Sequence, residues 1–314
     1  MKKAKRKENK KNLAIIISIC VVLSVYALTI ISILAWGFLT SLKNDVDYTL
    51  LKNKFGLPNL KYSKEEFLSL ENYRLIFSAF EFKRVTRFYS GEKLIVHRAT
   101  LNIGLLLMNT FIFAGLGAVL RALVPCVMGY LCAKYPFKLS KIIYATCLIV
   151  MIIPIVGSSA SELALLRRLN LYDSFLGYII QSLNFTGMYF FVFYAYYQGV
   201  PDSYTEAAEM DGASQLTIFI KIMLPLTVKM MSTVALLQFV ALWNNYQYPL
   251  MYLPTHPTLS YGVFYMVYLN PSGPLSKLPI KVAGCMMLAL PILVLFIFLK
   301  DKLMGNVSLG GLKE

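Results

Sequence analysis

Charged side chains, and acidic ones above all, are scarce in this chain of 314 residues. Only 15% of the residues are charged, and 16 aspartates and glutamates stand against 31 lysines and arginines, while 57% of the residues are hydrophobic. The surface of a water-soluble protein of this size normally carries more charge than that. The composition therefore predicts a protein whose surface is largely covered by lipid.

Histidine and cysteine are too few and too scattered to indicate a metal site, a disulfide framework or a membrane-embedded enzyme. The two histidines, His97 and His256, are far apart, and the five cysteines lie in apolar stretches without a CxxC pair. The sequence also lacks the G-x-x-x-x-G-K-S/T phosphate loop, which excludes a nucleotide site of that kind on this chain. We expect no cofactor and no catalytic residue here.

The formal net charge of +15 would indicate nucleic-acid binding in a soluble protein. Here the lysines and arginines gather in the flanks and loops between long apolar runs, which is typical of membrane proteins. We therefore expect membrane lipid, and no nucleic acid, to contact this chain.

Six apolar runs are long enough for helices that cross a bilayer core of about 30 Å. The predicted spans are residues 13–40, 103–131, 142–161, 175–200, 226–253 and 282–299. The first follows a basic cytoplasmic tail, residues 1–12, and has no cleavage site of a signal peptide, so we expect it to stay attached. Lys134, Lys138 and Lys141 place the link after the second span in the cytoplasm. The predicted fold class is an all-α membrane protein with six transmembrane helices and both termini in the cytoplasm.

Two segments lie outside these spans. Residues 44–100 form a long extracytoplasmic loop, whose aromatic residues argue against disorder, and we expect short helices in a small folded cap. Residues 300–314 form a cytoplasmic tail. No internal repeat indicates a transporter built from two related halves, and an ion-coupled transporter would need an intramembrane carboxylate relay that is almost absent.

The loop of residues 200–226, between the fourth and fifth spans, concentrates acidic residues on the cytoplasmic side: Asp202, Glu206, Glu209 and Asp211. Ser203 and Glu206 have the S-x-x-E spacing of a capping box, which predicts the start of a short helix. Gly212 is a natural end for that helix, because glycine takes the left-handed conformation.

Two further features of this loop bear on its role. Ala207 and Ala208 would present a surface of small residues that another protein could approach closely, and Pro225 suits the first turn of the next spanning helix. The alternative is a helical connector whose acidic residues only keep it solvated. Residue types alone leave both interpretations open.

The order of these residues resembles the EAA motif of ATP-binding-cassette importer permeases, through Glu206-Ala207-Ala208, Asp211-Gly212-Ala213 and Leu224-Pro225-Leu226. Other blocks resemble the carbohydrate-importing, maltose-type branch, and its shorter six-span subunit in particular. They are Ser41-Leu42-Lys43, Leu70-Glu71-Asn72-Tyr73, Met108-Asn109-Thr110, Gly129-Tyr130, Tyr135-Pro136-Phe137-Lys138, Trp243-Asn244-Asn245-Tyr246-Gln247-Tyr248-Pro249-Leu250 and Pro257-Thr258-Leu259. Met210 and Val228-Lys229 depart from the usual pattern. Permeases for non-sugar solutes share the EAA loop, so a non-sugar importer remains an alternative.

This resemblance implies a type I importer transmembrane domain in the cell membrane, with residues 103–299 as the permease core. The implied ATPase-coupling residues are Ser203, Glu206, Ala207, Ala208, Asp211, Gly212 and Pro225. The implied partners are a homologous permease subunit, two ATP-binding subunits, an extracytoplasmic solute-binding protein and a sugar substrate. ATP and magnesium would then be held by the partner ATPase, and residues 305–313 resemble a glycine-containing tail that reaches between the ATPases.

Two sets of polar residues fall inside predicted spans. Trp243, Asn244, Asn245 and Gln247 combine stacking with hydrogen bonding, as a sugar path requires, although Asn and Gln also bond between packed helices. Arg121 is costly within a span, so it faces a bundle interior or a watery cavity, or it extends towards the cytoplasmic interface. The sequence does not decide between the two interpretations in either case.

Overall fold

A computed structural model of the chain describes residues 2–58, 70–80, 82–90, 93–135, 137–153, 157–269 and 274–307. The helices are α1 (Lys2–Ser41), α2 (Glu71–Ala79), α3 (Ile103–Lys134), α4 (Lys138–Ile152), α5 (Ser158–Arg168), α6 (Phe175–Ser182), α7 (Met188–Gln198), α8 (Ser203–Met210), α9 (Gln215–Ile218), α10 (Leu224–Trp243), α11 (Gln247–Tyr252), α12 (Leu259–Phe264) and α13 (Leu278–Val307). Strands β1 (Phe82–Ser90) and β2 (Lys93–Leu101) form an antiparallel hairpin. Wide π-type turns occupy Val46–Leu50, Phe219–Met223 and Tyr265–Leu269.

In the described part of the chain, four helical segments are long and apolar enough to cross a membrane. They are Ile15–Ser41, Ile103–Lys134, Gln215–Trp243 and Leu278–Phe298. These segments contain the second predicted span and most of the first, fifth and sixth. The third falls on α4, which has 15 residues, and on the start of α5. Pro154, assigned to the third span, and Pro136, in one of the resembling blocks, lie outside the described residues.

The fourth predicted span is interrupted between α6 and α7. Asn184 Oδ1 accepts a hydrogen bond from the backbone N–H of Thr186 at 2.8 Å and from its hydroxyl at 2.7 Å. A side chain that binds backbone groups locally competes with helix formation. The apolar run from 175 to 200 therefore folds as two shorter helices.

The fifth predicted span begins and ends earlier than expected. The π-type turn Phe219–Met223 joins α9 to α10, so the helical stretch already starts at Gln215. It stops at Trp243, and Asn245 Oδ1 accepts the N–H of Tyr248 at 2.9 Å at the start of α11. A local side-chain-to-backbone bond again accompanies the break.

The chain divides into two compact units, of which one consists of Met1–Phe80 and Met266–Met287. In this unit α1 begins at Lys2, so the basic segment predicted as a tail is helical. Every side chain from residue 15 to residue 35 is exposed, around the whole circumference of α1. An apolar helix exposed on all sides suits a lipid surrounding.

A buried polar cluster joins the C-terminal end of α1 to α2. The side-chain amide of Asn72 donates to the carbonyls of Ser41 and Lys43, both at 2.8 Å, and the hydroxyls of Tyr73 and Ser41 lie 2.8 Å apart. Lys43 Nζ donates to the carbonyl of Asn53 at 2.7 Å, and burial lowers the pKa of this ammonium. Two blocks that resemble the same family, near residues 41 and 72, are therefore in contact.

The second unit consists of Glu81–Tyr265 and Leu288–Glu314, and α3 is its central helix. α3 packs against α4, α6, α7, α10 and α12. At Gly129 the backbones of α3 and α7 come so close that a Cβ atom would lie 2.9 Å from both Phe193 Cβ and Tyr194 N. Only glycine permits this approach without a shift of α7.

Side chains near the start of α3 hold the beginning of α12. Asn109 Nδ2 donates to the carbonyl of Pro257 at 3.1 Å, and the N–H of Leu259 donates to Thr110 Oγ1 at 2.7 Å. Two further blocks that resemble the family, 108–110 and 257–259, thus meet in space.

The described part of the chain is predominantly helical, as predicted, with one exception in the predicted outer loop. α2 confirms the expectation of a short helix there, but the β1–β2 hairpin was not expected. Its register pairs Phe82 with Leu101 and Ser90 with Lys93. Both strands are rich in β-branched and aromatic residues, a composition that favours strands over helix.

The last helix extends into the segment predicted as a cytoplasmic tail, residues 300–314. α13 continues to Val307, because Lys300, Lys302 and Leu303 are good helix formers that extend the spanning helix. The residues after 307, including Gly310, Gly311, Leu312 and Lys313, lie outside the described residues.

Candidate functional site

The acidic loop folds into α8, which has eight residues, but the predicted capping box is not formed. Ser203 is the first helical residue, and Asp202 occupies the N-cap position without a side-chain hydrogen bond to α8 in the described structure. Its carboxylate binds Lys134 Nζ instead, at 2.6 Å, while its backbone carbonyl accepts the N–H of Glu206 at 3.0 Å. The carboxylate is engaged elsewhere and does not cap the helix.

Lys134, the last residue of α3, ties the start of α8 to that helix. Its side chain is only 8% exposed, and its ammonium donates both to the carbonyl of Val200 at 2.5 Å and to the exposed carboxylate of Asp202. A buried ammonium needs such partners, because its charge is costly to remove from water. The pair spans 68 residues of sequence, so local patterns could not reveal it.

Gly212 ends α8, as the sequence predicts. Its φ is 76°, its N–H donates to the carbonyl of Glu209, and the N–H of Ala213 donates to the carbonyl of Ala208, both at 2.9 Å. This is the Schellman arrangement of helix ends. A Cβ at Gly212 would meet nothing within 4 Å, so the left-handed backbone alone favours glycine there.

The two alanines of the EAA motif point in different directions. Ala207 is exposed, whereas Ala208 is buried in an apolar cluster with Tyr130, Tyr197 and Ile218. The expectation that both alanines form an accessible surface is therefore wrong for Ala208, whose methyl group packs into the chain's own core. The exposed side chains of α8 are those of Ser203, Tyr204, Glu206, Ala207, Glu209 and Met210, followed by Asp211.

A chain of polar contacts fixes the other end of α8. Gln215 Nε2 donates to the carboxylate of Glu209 at 2.7 Å, and the hydroxyl of Tyr135 donates to Gln215 Oε1. The hydroxyls of Tyr135 and Tyr130 lie 3.0 Å apart. Both ends of α8 are thus attached to the C-terminal end of α3.

Pro225 lies in the first turn of α10, as expected. However, α10 continues directly from the preceding helical segment and does not begin after a loop. The wide turn Phe219–Met223 precedes it, and the N–H of Leu224 donates to the carbonyl of Phe219. Proline lacks an N–H, so a position beside an irregular turn suits it.

The residues predicted as a substrate path divide into two groups. Trp243 is 1% exposed and its ring N–H donates to the carbonyl of Leu288 at 3.2 Å, while Asn245 binds the backbone of α11. Trp243 thus packs one helix against another, and Asn245 holds the start of α11. Asn244 and Gln247 are exposed and remain candidates for contact with a solute.

A polar cavity of about 270 Å³, which the sequence did not predict, lies beside α3. Its polar lining comprises Arg121, Gln181, Asn184, Thr186, Tyr189 and Gln238. Of the two sequence interpretations of Arg121, the structure therefore supports the cavity. Polar residues within three separate apolar runs were the signal for it, but the sequence did not show that they meet.

Within the described residues, no three side chains of His, Cys, Asp or Glu are grouped as metal ligands would be.

Comparison with known proteins identifies relatives of this chain. The family signature described as "Binding-protein-dependent transport system inner membrane component" matches residues 126–300, more than half of the chain. The arabinooligosaccharides transport system permease protein AraQ of Halalkalibacterium halodurans is 31% identical over 195 residues, 62% of this chain and 69% of AraQ. The maltodextrin transport system permease protein MdxG of Bacillus subtilis is 29% identical over 210 residues, 65% of this chain and 74% of MdxG.

A solved structure shares the fold. One chain of a bacterial ABC transporter involved in the import of the acidic polysaccharide alginate is similar to this chain with a TM-score of 0.67 and 18% identity, over 91% of this chain and 95% of that chain. With its long apolar helices, the chain is a multi-pass membrane protein. It belongs to the family of inner-membrane components of binding-protein-dependent transport systems.

Proposed function

We propose that this chain is the permease subunit of an ATP-driven importer, which takes a sugar or oligosaccharide from an external binding protein into the cytoplasm. The observation that carries the proposal is α8, a short helix with an exposed outward face and both ends attached to α3. The substrate class is supported by relatives named for the transport of arabinooligosaccharides and maltodextrin.

In the proposed mechanism α8 seats on a cytoplasmic ATPase. Glu206, Ala207 and Asp211 contact it, whereas Ala208 and Gly212 shape and anchor the helix. When two ATPases close around ATP they displace α8, and Lys134 and Tyr135 pass that displacement to α3. ATP and magnesium stay on the ATPases, so this chain is a non-catalytic subunit without a cofactor.

The proposed assembly contains a homologous permease subunit, two ATP-binding subunits and an extracytoplasmic solute-binding protein. The chain crosses the cell membrane six times with both termini in the cytoplasm, which puts α8 on the side of the ATPases. Residues 44–100 face outwards and meet the binding protein. The exposed apolar surface of α1 supports lipid contact for that helix.

Co-purification tests the role of α8 directly. Glu206→Lys reverses an exposed charge. Gly212→Pro places proline, whose φ is fixed at about −65°, at a position where φ is 76°. Both variants should reach the membrane, bind the partner permease and lose the ATP-binding subunits. Glu71→Lys, the same charge reversal at the start of α2 in the predicted outer loop, should retain them. If both α8 variants keep a bound ATPase that sugar still stimulates, the proposed coupling role is wrong.

A further inference from the structure

Arg121 lies near the middle of α3, 18 residues after Ile103 and 13 before Lys134. At 1.5 Å per residue these separations are about 27 Å and about 20 Å, too far for its side chain to reach either end of the helix. Within the described residues its guanidinium forms no salt bridge. A cation at this depth is costly and usually faces a functional cavity.

The amide oxygens beside Arg121 already accept hydrogen bonds, which orients the amides and leaves their NH₂ groups as donors. Gln181 Oε1 accepts a hydrogen bond from the hydroxyl of Tyr248. Asn184 Oδ1 accepts from the backbone N–H of Thr186, which can only donate. The NH₂ groups of both amides remain, with the guanidinium, as donors without a partner in the described structure.

The rest of the lining adds no negative charge. Within the described residues, no aspartate or glutamate lines the cavity, and its other polar side chains are Thr186, Tyr189 from α7 and Gln238 from α10. Gly187, at the N-terminal end of α7, also lines it, so the positive end of that helix dipole lies at the cavity. The guanidinium of Arg121 is the charged group of this lining, and it favours an anion.

We propose, on the basis of the proposed function, that this cavity binds the anionic group of an acidic sugar during transport, a carboxylate or a phosphate held by Arg121. A guanidinium matches two oxygens of such a group with a pair of parallel N–H bonds. A neutral sugar hydroxyl carries no charge, so it cannot form the pair of charge-assisted bonds that a carboxylate or phosphate forms with a guanidinium. The charge of Arg121 therefore distinguishes an oxyanion from a hydroxyl.

Binding to the complete purified importer tests this proposal. The probes are galacturonate and glucose 6-phosphate as the two anionic arms, with galactose and glucose as their neutral counterparts. One or both anions should bind the wild-type complex at least about tenfold more tightly than the neutral partner, the usual scale of a charge-assisted bond. Arg121→Gln should abolish that preference, Arg121→Lys should restore part of it, and Arg168→Gln, an exposed arginine at the end of α5, should leave it unchanged.

The outcomes separate this inference from the proposed function. Equal or undetectable binding of anionic and neutral sugars, or an anion preference that survives in Arg121→Gln, would overturn it. So would equal loss of all binding in Arg121→Gln and Arg121→Lys, because that marks a structural role. In each of those cases, ATP-driven uptake of a neutral oligosaccharide by the same complex would still support the proposed importer function. If the complex takes up no sugar at all, the proposed function itself is contradicted.

Discussion

Gly212 holds a backbone conformation with φ at 76° that residues with a side chain adopt only at a cost of about 1–2 kcal/mol. No atom lies near enough to obstruct a methyl group there, so any loss of stability in Gly212→Ala reports the cost of the left-handed backbone alone. We expect this variant to loosen the end of α8 and to lower the thermal unfolding midpoint of the purified protein.

Gly199 supplies the matched control for that substitution, because it also ends a helix but has a φ of −80°. Gly199→Ala should therefore leave the midpoint close to that of the wild type. A midpoint that falls equally in both variants would show that the left-handed backbone of Gly212 is not what requires glycine.

Single residues show which sequence signals are local. The sequence predicts that Gly212 ends a helix, because the preference of helix C-termini for glycine depends only on neighbouring residues. The sequence does not predict the contact of Lys134 with Asp202 or the burial of Ala208, since both depend on segments far apart in the chain. The EAA motif was recognised as a string, but only the structure divides its alanines between core and surface.

At the scale of secondary-structure elements, α3 and α7 come into close backbone contact at Gly129. A methyl group there would lie 2.9 Å from a backbone nitrogen of α7, so one helix must shift. We expect Gly129→Ala to lower stability by about 1–3 kcal/mol, the usual cost of overpacking. The measurement is the unfolding midpoint in detergent.

Gly115, in the same helix, provides the comparison because a Cβ there meets nothing within 4 Å. Gly115→Ala should leave stability unchanged or raise it by up to about 1 kcal/mol, since alanine favours helix. If Gly129→Ala behaves like Gly115→Ala, the close approach of α3 and α7 does not exist in the membrane.

The breaks within the fourth and fifth predicted spans could not be predicted from hydrophobicity. Hydrophobicity located the apolar runs of α1, α3, α10 and α13, because bilayer thickness sets their length. Asn184 and Asn245 each bind nearby backbone groups, and a window average over 20 residues dilutes one such residue. The aromatic content of residues 44–100 predicts order but does not by itself distinguish helix from strand. The β-branched and aromatic residues of β1 and β2 favour the hairpin that forms.

At the scale of the whole molecule, the location of a single residue distinguishes six membrane crossings from four. Six crossings place Asn170, between α5 and α6, outside the cell. If only the four long apolar segments crossed, Asn170 would lie in the cytoplasm. A fluorescent reporter that matures only in the cytoplasm, fused after Asn170, should therefore stay dark. Fusions after Lys138 and Gly212 should both fluoresce, and fluorescence after Asn170 would contradict the six-span topology.

The most direct test of coupling through α8 is ATP-driven uptake. Proteoliposomes would contain this chain, its partner permease and the ATP-binding subunits, and the external binding protein would deliver a labelled oligosaccharide. Uptake and sugar-stimulated ATP hydrolysis should occur together in the wild type and fall together to background in Glu206→Lys. Uptake that continues without the ATP-binding subunits, or that is undiminished in Glu206→Lys, would contradict coupling through α8.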